Sequence, residues 1–261
     1  MAWSRIDTIR GTSCRVLAIG AGEPVLYLHG AGGLDERDPF LARLAEHRRV
    51  LAPEHPGYGE STGEDLLEDM LDFTLHGWDV ADALGLDHPD LVAHSMGGMI
   101  AAEMACISPE RPRKLVLVAP AGLWLDDHPV PDVFATLPHD LGRIMFFDEA
   151  AAAAGAGRRG DFSDPEVLVE FMIGNAKRLG TAGKILFPIP NRRLSKRLYR
   201  LRAETLVTWG EGDRLYPKPY ADRWAELVPA SERVTIPQAG HMVTVEQPEA
   251  LARAVESFLS R

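Results

Sequence analysis

The stretch at residues 89–107, PDLVAHSMGGMIAAEMACI, constrains the fold of this chain more than any other. Its apolar run at 91–93 is too short for a helix and predicts a buried strand, whereas residues 96–107 carry apolar side chains at helical spacing. Ser95 therefore stands at a sharp strand-to-helix corner. A serine at such a corner adopts a strained backbone conformation, which lifts its hydroxyl above the sheet. This position suits a nucleophile.

Strand and helix patterns alternate along most of the chain. Short apolar segments that predict further strands lie at 14–19, 25–28, 48–53, 114–119, 204–209 and 233–236. Amphipathic or apolar segments that predict helices lie at 40–46, 65–84, 221–228 and 248–259. The alternation predicts an α/β fold with a mostly parallel sheet and helices on both of its faces.

The alternation stops between residues 123 and 202, where no segment predicts a strand. The region is rich in aromatic and apolar side chains, and its residues 150–160, AAAAAGAGRRG, are compatible with a helix that frays into a loop.

Composition narrows the class of protein. A chain of 261 residues suits one large α/β domain, and 38 acidic against 28 basic residues argue against nucleic acid or an anionic membrane as a partner. We find no signal-peptide pattern and no membrane-spanning apolar run, so a cytoplasmic location is the expectation. Cys14 and Cys106 lack metal-ligand spacing and are expected to be buried free thiols.

Several motifs resemble those of the α/β-hydrolase superfamily. Residues 93–97, AHSMG, are similar to its G-x-S-x-G elbow with alanine in place of the first glycine, and residues 209–217, WGEGDRLYP, are similar to the loop after its seventh strand. The resemblance implies an α/β-hydrolase fold with about eight strands. It further implies a core domain at 1–122 and 203–261, with a helical cap at 123–202 inserted after the sixth strand.

The resemblance also implies a catalytic triad. Ser95, Asp213 and His241 occur in the family order of nucleophile, acid and base, and each follows the carboxyl end of a predicted strand, where open α/β sheets bind ligands. Some family members take the acid from after the sixth strand, so Asp126 and Asp127 are rivals to Asp213. His94 is expected to have a packing role.

A glycine-rich loop, HGAGG at 29–33, follows the predicted strand at 25–28. In the family this loop and the elbow supply the backbone N–H groups of an oxyanion hole, which implies Ala31 and Met96 here. Acyl transfer by such a site needs no metal or organic cofactor.

The resemblance favours cleavage of a carboxylic ester or lactone of a small to medium hydrophobic substrate. A serine at the elbow argues against haloalkane dehalogenases and epoxide hydrolases, which use aspartate. A small molecule is therefore the expected partner, and homo-oligomer formation is left open. Candidate substrate contacts are Gly30, Trp124, Phe146, Phe147 and Met242.

The alternative is hydrolysis of a carbon–carbon bond in ring-fission dienoates, whose enzymes are similar in SMGG and WGxxDRLxP. His94 and Met242 depart from the asparagine and tryptophan usual there. Those enzymes bind the substrate carboxylate with a cap arginine, which could come from a basic cluster that could equally be a solvated helix face: Arg192, Arg193, Lys196, Arg197, Arg200 and Arg202. A cofactor-free perhydrolase or a ligand receptor on the same scaffold is a further alternative.

Overall fold

A computed structural model describes residues 1–150, 163–187, 192–228 and 230–261 of the chain. Eight strands form one open sheet. They are β1 (Ala2–Asp7), β2 (Ser13–Ile19), β3 (Pro24–Leu28), β4 (Arg49–Pro53), β5 (Asp90–His94), β6 (Lys114–Val118), β7 (Glu204–Gly210) and β8 (Ser231–Ile236). Their order across the sheet is β1-β2-β4-β3-β5-β6-β7-β8. The six strands from β3 to β8 in the chain pair in parallel with their neighbours among them, while β2 pairs antiparallel with β1 and β4. This confirms the predicted mostly parallel sheet.

The helices of the described residues lie between these strands and after the last one. They are α1 (Pro39–Leu44), α2 (Met70–Ala83), α3 (Met96–Ile107), α4 (Pro138–Met145), α5 (Pro165–Leu186), α6 (Lys218–Leu227), α7 (Val243–Glu246) and α8 (Pro248–Leu259). Among the residues described, no helix combines the length and apolar character needed to cross a bilayer.

Two apolar clusters flank the sheet because successive side chains of a strand point to opposite faces. In β5, Leu91 and Ala93 pack in one cluster, which includes residues of α2 and α3, while Val92 packs in the other, with residues of α1 and α8. Both faces are therefore covered, which explains why the central strands are apolar throughout. Cys14 and Cys106 are buried free thiols, as predicted.

The edge strand β1 was not predicted from the sequence. Most of its side chains are exposed, and only Trp3 and Ile6 are partly buried, so it carries too few apolar residues to form a continuous run. Its partner β2 supplies the backbone hydrogen bonds that make it a strand. Tertiary pairing, rather than local pattern, creates this element.

Helix α2 begins later than the predicted residue 65. The side chain of Asp69 accepts the N–H groups of Leu71 and Asp72 and thereby caps the helix. The preceding residues form a separate 3₁₀ turn, Glu64–Leu66, in which Leu66 is 43% exposed. The cap, not the apolar stripe, sets the boundary.

Between β6 and β7 the described residues form helices and turns, and no strand is found among them. They include α4, α5 and two 3₁₀ turns, Leu194–Lys196 and Leu198–Arg200. Residues 151–160 of the predicted fraying helix lie outside the described residues. Two contacts tie the end of this region to α3, since Arg197 pairs with Glu103 and Arg200 donates to the carbonyl oxygen of Cys106 at 2.7 Å.

Candidate active site

Ser95 occupies the turn between β5 and α3 in a strained conformation, with φ 54° and ψ −114°. Gly97 makes the tight turn sterically allowed, because a Cβ atom there would lie 2.6 Å from the carbonyl oxygen of His29. Ala93 replaces the first glycine of the elbow pattern and is fully buried within β5. The methyl group is therefore accommodated by the core.

The structure brings Ser95, His241 and Asp213 into one hydrogen-bonded chain. His241 Nδ1 lies 2.9 Å from Asp213 Oδ2, and His241 Nε2 lies 2.8 Å from Ser95 Oγ. A carboxylate only accepts, so Nδ1 carries the proton and Nε2 is left to accept the serine hydroxyl. Three residues that are remote in sequence thus meet at the carboxyl edge of the sheet.

Backbone groups of its own loop orient Asp213. Its Oδ1 accepts the N–H groups of Leu215 and Tyr216 at 2.9 and 2.8 Å, which leaves Oδ2 aimed at His241. The rival carboxylates Asp126 and Asp127 are exposed, and Asp126 accepts the indole N–H of Trp124 at 2.9 Å. Only Asp213, of the three candidates, is hydrogen-bonded to the histidine.

His94 lies beside His241, with ring centroids 5.2 Å apart. Its Nε2–H donates to the carbonyl oxygen of His241 at 3.0 Å. Burial, and next the neighbouring His241, lowers the pKa of His94 to about 3, so this ring is neutral at physiological pH. The expected packing role therefore comes with a backbone contact to the loop that carries His241 (the base loop, residues 237–242), and the sequence pattern does not reveal this contact.

The glycine-rich loop packs directly against the elbow. His29 donates its Nδ1–H to the carbonyl oxygen of Gly30 at 2.8 Å, and its Nε2 accepts the N–H of His55 at 3.1 Å. A Cβ atom on Gly30 would lie 3.2 Å from Ser95 Cβ, so only a minimal side chain suits this position. Met96 is the first residue of α3, where the N–H has no acceptor within the helix. An oxyanion hole formed by Ala31 and Met96 stays a prediction.

Of the other candidate substrate contacts, Phe146 and Phe147 contact the loop that carries Asp213 (the acid loop, residues 211–217), and Met242 belongs to the base loop. Trp124, Phe146 and Met242 are half-buried, and the N–H of Met242 donates to the carbonyl oxygen of Met145 at 3.0 Å. Phe147 is 41% exposed, and its ring lies against Gly212, next to Asp213. Phe147 therefore serves at least the contact with the acid loop, and its place in a substrate pocket stays a prediction.

Arginines of the predicted basic cluster make internal contacts. Arg192 donates to the carbonyl oxygen of Ile185 at 3.1 Å, while Arg197 and Arg200 bind α3 as described above. A different arginine reaches the glycine-rich loop, since Arg178 of α5 donates to the carbonyl oxygen of Gly32 at 2.9 Å. Sequence reasoning missed Arg178 because a basic residue on an amphipathic helix resembles a solvated one.

Besides His241, four histidines are buried among the described residues: His29, His55, His76 and His94. Burial lowers the pKa of His29 and of His76 to about 4, and that of His55 well below its ordinary range. His76 Nε2 lies 3.0 Å from Thr12 Oγ1, away from the triad. In the part of the chain that the structure describes, no group of three or more His, Cys, Asp or Glu side chains could hold a metal ion.

Because these histidines are buried with lowered pKa, we expect the free energy of unfolding to fall in acid. In the unfolded chain they titrate near pH 6.5, so below that pH the unfolded state binds more protons and the free energy of unfolding falls. By pH 5, protonation of His29 and of His76 in the unfolded chain is expected to cost about 2 kcal/mol of unfolding free energy each, because burial lowers their pKa to about 4 in the fold. Desolvation raises the pKa of Asp38 to about 7, which acts in the opposite direction between about pH 4 and 7.

Urea unfolding of wild type and His76→Gln at pH 7, 6 and 5 isolates one histidine, because the contribution of Asp38 cancels between them. The loss of unfolding free energy from pH 7 to 5 should be smaller in His76→Gln by about 2 kcal/mol. Equal losses in the two proteins would show that His76 does not resist protonation in the fold.

Comparison with known proteins identifies the family of this chain. A family model described as the alpha/beta hydrolase family matches residues 25–254. A 2-hydroxy-6-oxo-6-phenylhexa-2,4-dienoate hydrolase of Burkholderia cepacia is 30% identical, over 92% of this chain and 89% of that protein. The crystal structure of a meta-cleavage product hydrolase from Pseudomonas fluorescens has a TM-score of 0.78 at 22% identity, over 98% of this chain and 97% of that one. A naproxen esterase from Bacillus subtilis has a TM-score of 0.74 at 22% identity, over 99% and 91%. The chain belongs to the alpha/beta hydrolase family and is a hydrolase.

Proposed function

We propose that this hydrolase uses Ser95 as a nucleophile, His241 as general base and Asp213 as the orienting acid, and that it cleaves a carboxylic ester or lactone of a small to medium hydrophobic substrate. The observation that carries the proposal is the hydrogen-bonded chain from Asp213 through His241 to Ser95, with distances of 2.9 and 2.8 Å. A serine hydroxyl needs such a base because it barely ionises at neutral pH.

The proposed reaction has two halves. Ser95 Oγ bonds to the substrate carbonyl carbon while its proton passes to His241, and the carbon–oxygen bond of the ester breaks as His241 returns that proton to the leaving alcohol. Water then gives a proton to the same histidine and bonds to the acyl carbon. The bond from that carbon to Ser95 Oγ breaks, His241 returns the proton to Oγ, and the acid is released. The N–H groups of Ala31 and Met96 would stabilise the oxyanion in both halves.

We also propose residues 123–202 as a cap on a core formed by 1–122 and 203–261. Contacts at the carboxyl edge of the sheet support this division. Arg178 of α5 binds the carbonyl oxygen of Gly32, and Met145, the last residue of α4, accepts the N–H of Met242 in the base loop. Half-buried Trp124 and Phe146 on this region favour a hydrophobic substrate.

Hydrolysis of a carbon–carbon bond in a ring-fission dienoate is the second candidate. The name of the Burkholderia cepacia relative favours it, and so does the proximity of Arg178, a cation, to the glycine-rich loop. The departures at His94 and Met242 favour the ester instead. His94 in particular is engaged with the carbonyl oxygen of His241.

A substrate panel separates the two candidates. We expect the wild type to hydrolyse p-nitrophenyl esters of short to medium acyl chains with kcat/KM at least tenfold above that for a 2-hydroxy-6-oxo-dienoate, about 1.4 kcal/mol in transition-state binding. Lactones belong in the same panel. A preference for the dienoate in the same assay would reject the ester proposal and support the second candidate. Tight binding of esters without turnover would support a receptor.

A further inference from the structure

Residues 143–148, at the end of α4 and just beyond it, contact the two loops that carry Asp213 and His241. We call them the docking turn. Arg214, next to Asp213, donates to the carbonyl oxygens of Arg143 and Phe146 at 2.8 and 3.2 Å. Met242, next to His241, donates its N–H to the carbonyl oxygen of Met145 at 3.0 Å. The docking turn is therefore held from the acid loop and from the base loop.

The carboxylate of Glu246, the last residue of α7, joins the docking turn to the base loop. Its Oε1 accepts the N–H groups of Phe147 and Asp148 at 2.8 and 3.0 Å. Its Oε2 accepts the N–H of Gly240 at 2.7 Å, one residue before His241. Hydrogen bonds to an ionised acceptor are about twice as strong as neutral ones.

Two glycines allow the docking turn to come this close. A Cβ atom on Gly240 would lie 2.7 Å from the nitrogen of Phe147 and 2.8 Å from the carbonyl carbon of Phe146. A Cβ atom on Gly212 would lie 2.5 Å from the ring of Phe147. The base loop and the acid loop are thus each shaped to fit this one turn.

We propose that Glu246 is a positioning residue, which holds His241 in register with Ser95 through Gly240 and makes that register depend on the docking turn. The proposal rests on the proposed function, in which His241 is the base. The distances that matter are the 2.8 Å to Ser95 Oγ and the 2.9 Å to Asp213 Oδ2. A displacement of about 1 Å at such a contact can cost about 100-fold in rate.

The arrangement requires two acceptor oxygens. The substitution Glu246→Gln keeps the shape of the side chain but replaces one oxygen by an NH₂ group, which would face an N–H donor on one side or the other. Either the Gly240 contact or the docking-turn contacts are then lost. Glu249→Gln is a matched control. It is the same substitution on the next helix, α8, where the carboxylate only pairs with the exposed Arg43.

The test measures phosphonylation of Ser95 by a small alkyl fluorophosphonate, which needs no knowledge of the natural substrate. In this step the bond from Oγ to phosphorus forms, fluoride leaves and the serine proton passes to His241. We expect the limiting labelling rate of Glu246→Gln to fall about 10- to 100-fold, with labelling still reaching one per chain. Glu249→Gln should label at the wild-type rate.

The number of labels per chain distinguishes a positioning role of Glu246 from a loss of folded protein. Partial labelling of Glu246→Gln at the wild-type rate would mean that only the folded fraction changed and would overturn the proposal, as would complete labelling at the wild-type rate. Should Glu246→Gln not fold by circular dichroism, Arg214→Gln loosens the same turn from the acid side and must show the slower, complete labelling. A wild type that is not labelled at Ser95 would instead contradict the proposed function.

Discussion

Replacing Ser95 by alanine is expected to lower kcat/KM by about 10⁴-fold or more on every substrate that the wild type hydrolyses. Ser95 supplies the only proposed bond to the substrate, and its hydroxyl is the group that His241 Nε2 contacts at 2.8 Å. Without it, His241 and the backbone N–H groups leave only residual catalysis. Initial rates on the best ester of the panel measure the effect, and circular dichroism checks that the variant is folded.

Ser61→Ala is the matched control for losing a buried serine hydroxyl. Ser61 Oγ accepts the N–H of Arg15 at 2.9 Å, so this variant should lose about 1 kcal/mol of stability and keep its rate. A Ser95→Ala protein that still turned over esters would show that the nucleophile lies elsewhere. A loss of the same size in Ser61→Ala would show that the assay reports folding.

Asp213→Asn is expected to lower kcat by about 10⁴-fold. The asparagine oxygen can keep the N–H groups of Leu215 and Tyr216, but the NH₂ group then faces His241 Nδ1. The imidazole would have to place its proton on Nε2, where it cannot accept the serine hydroxyl. A pre-steady-state burst of p-nitrophenol in the variants measures this loss directly, since it reports acylation.

Asp126→Asn and Asp127→Asn are the controls for this variant, because both carboxylates are exposed and follow the sixth strand. Both should acylate at nearly the wild-type rate. A harmless Asp213→Asn together with a large loss in either control would move the acid to the other loop.

Local patterns predicted most of the strands and helices because buried strands need apolar runs and helices need apolar spacing over a few residues. The choice of Ser95, Asp213 and His241 came from the resemblance to the family, and their meeting at one edge was expected because parallel strands place their carboxyl ends there. Strand β1 was not predictable, because its exposed residues carry almost no such pattern. The start of α2 depended on one capping side chain, that of Asp69.

The sequence by itself determined the alternation of strands and helices and the serine at a corner between two of them, because those features depend on neighbouring residues. Alternation of this kind is typical of a mostly parallel sheet. Only the tertiary structure decided that Glu246 joins Gly240 to residues 147 and 148, and that Arg178 reaches Gly32. These contacts use backbone N–H and C=O groups, which every residue has, so no letter in the sequence marks them. Folding alone brings such groups within hydrogen-bonding distance of each other.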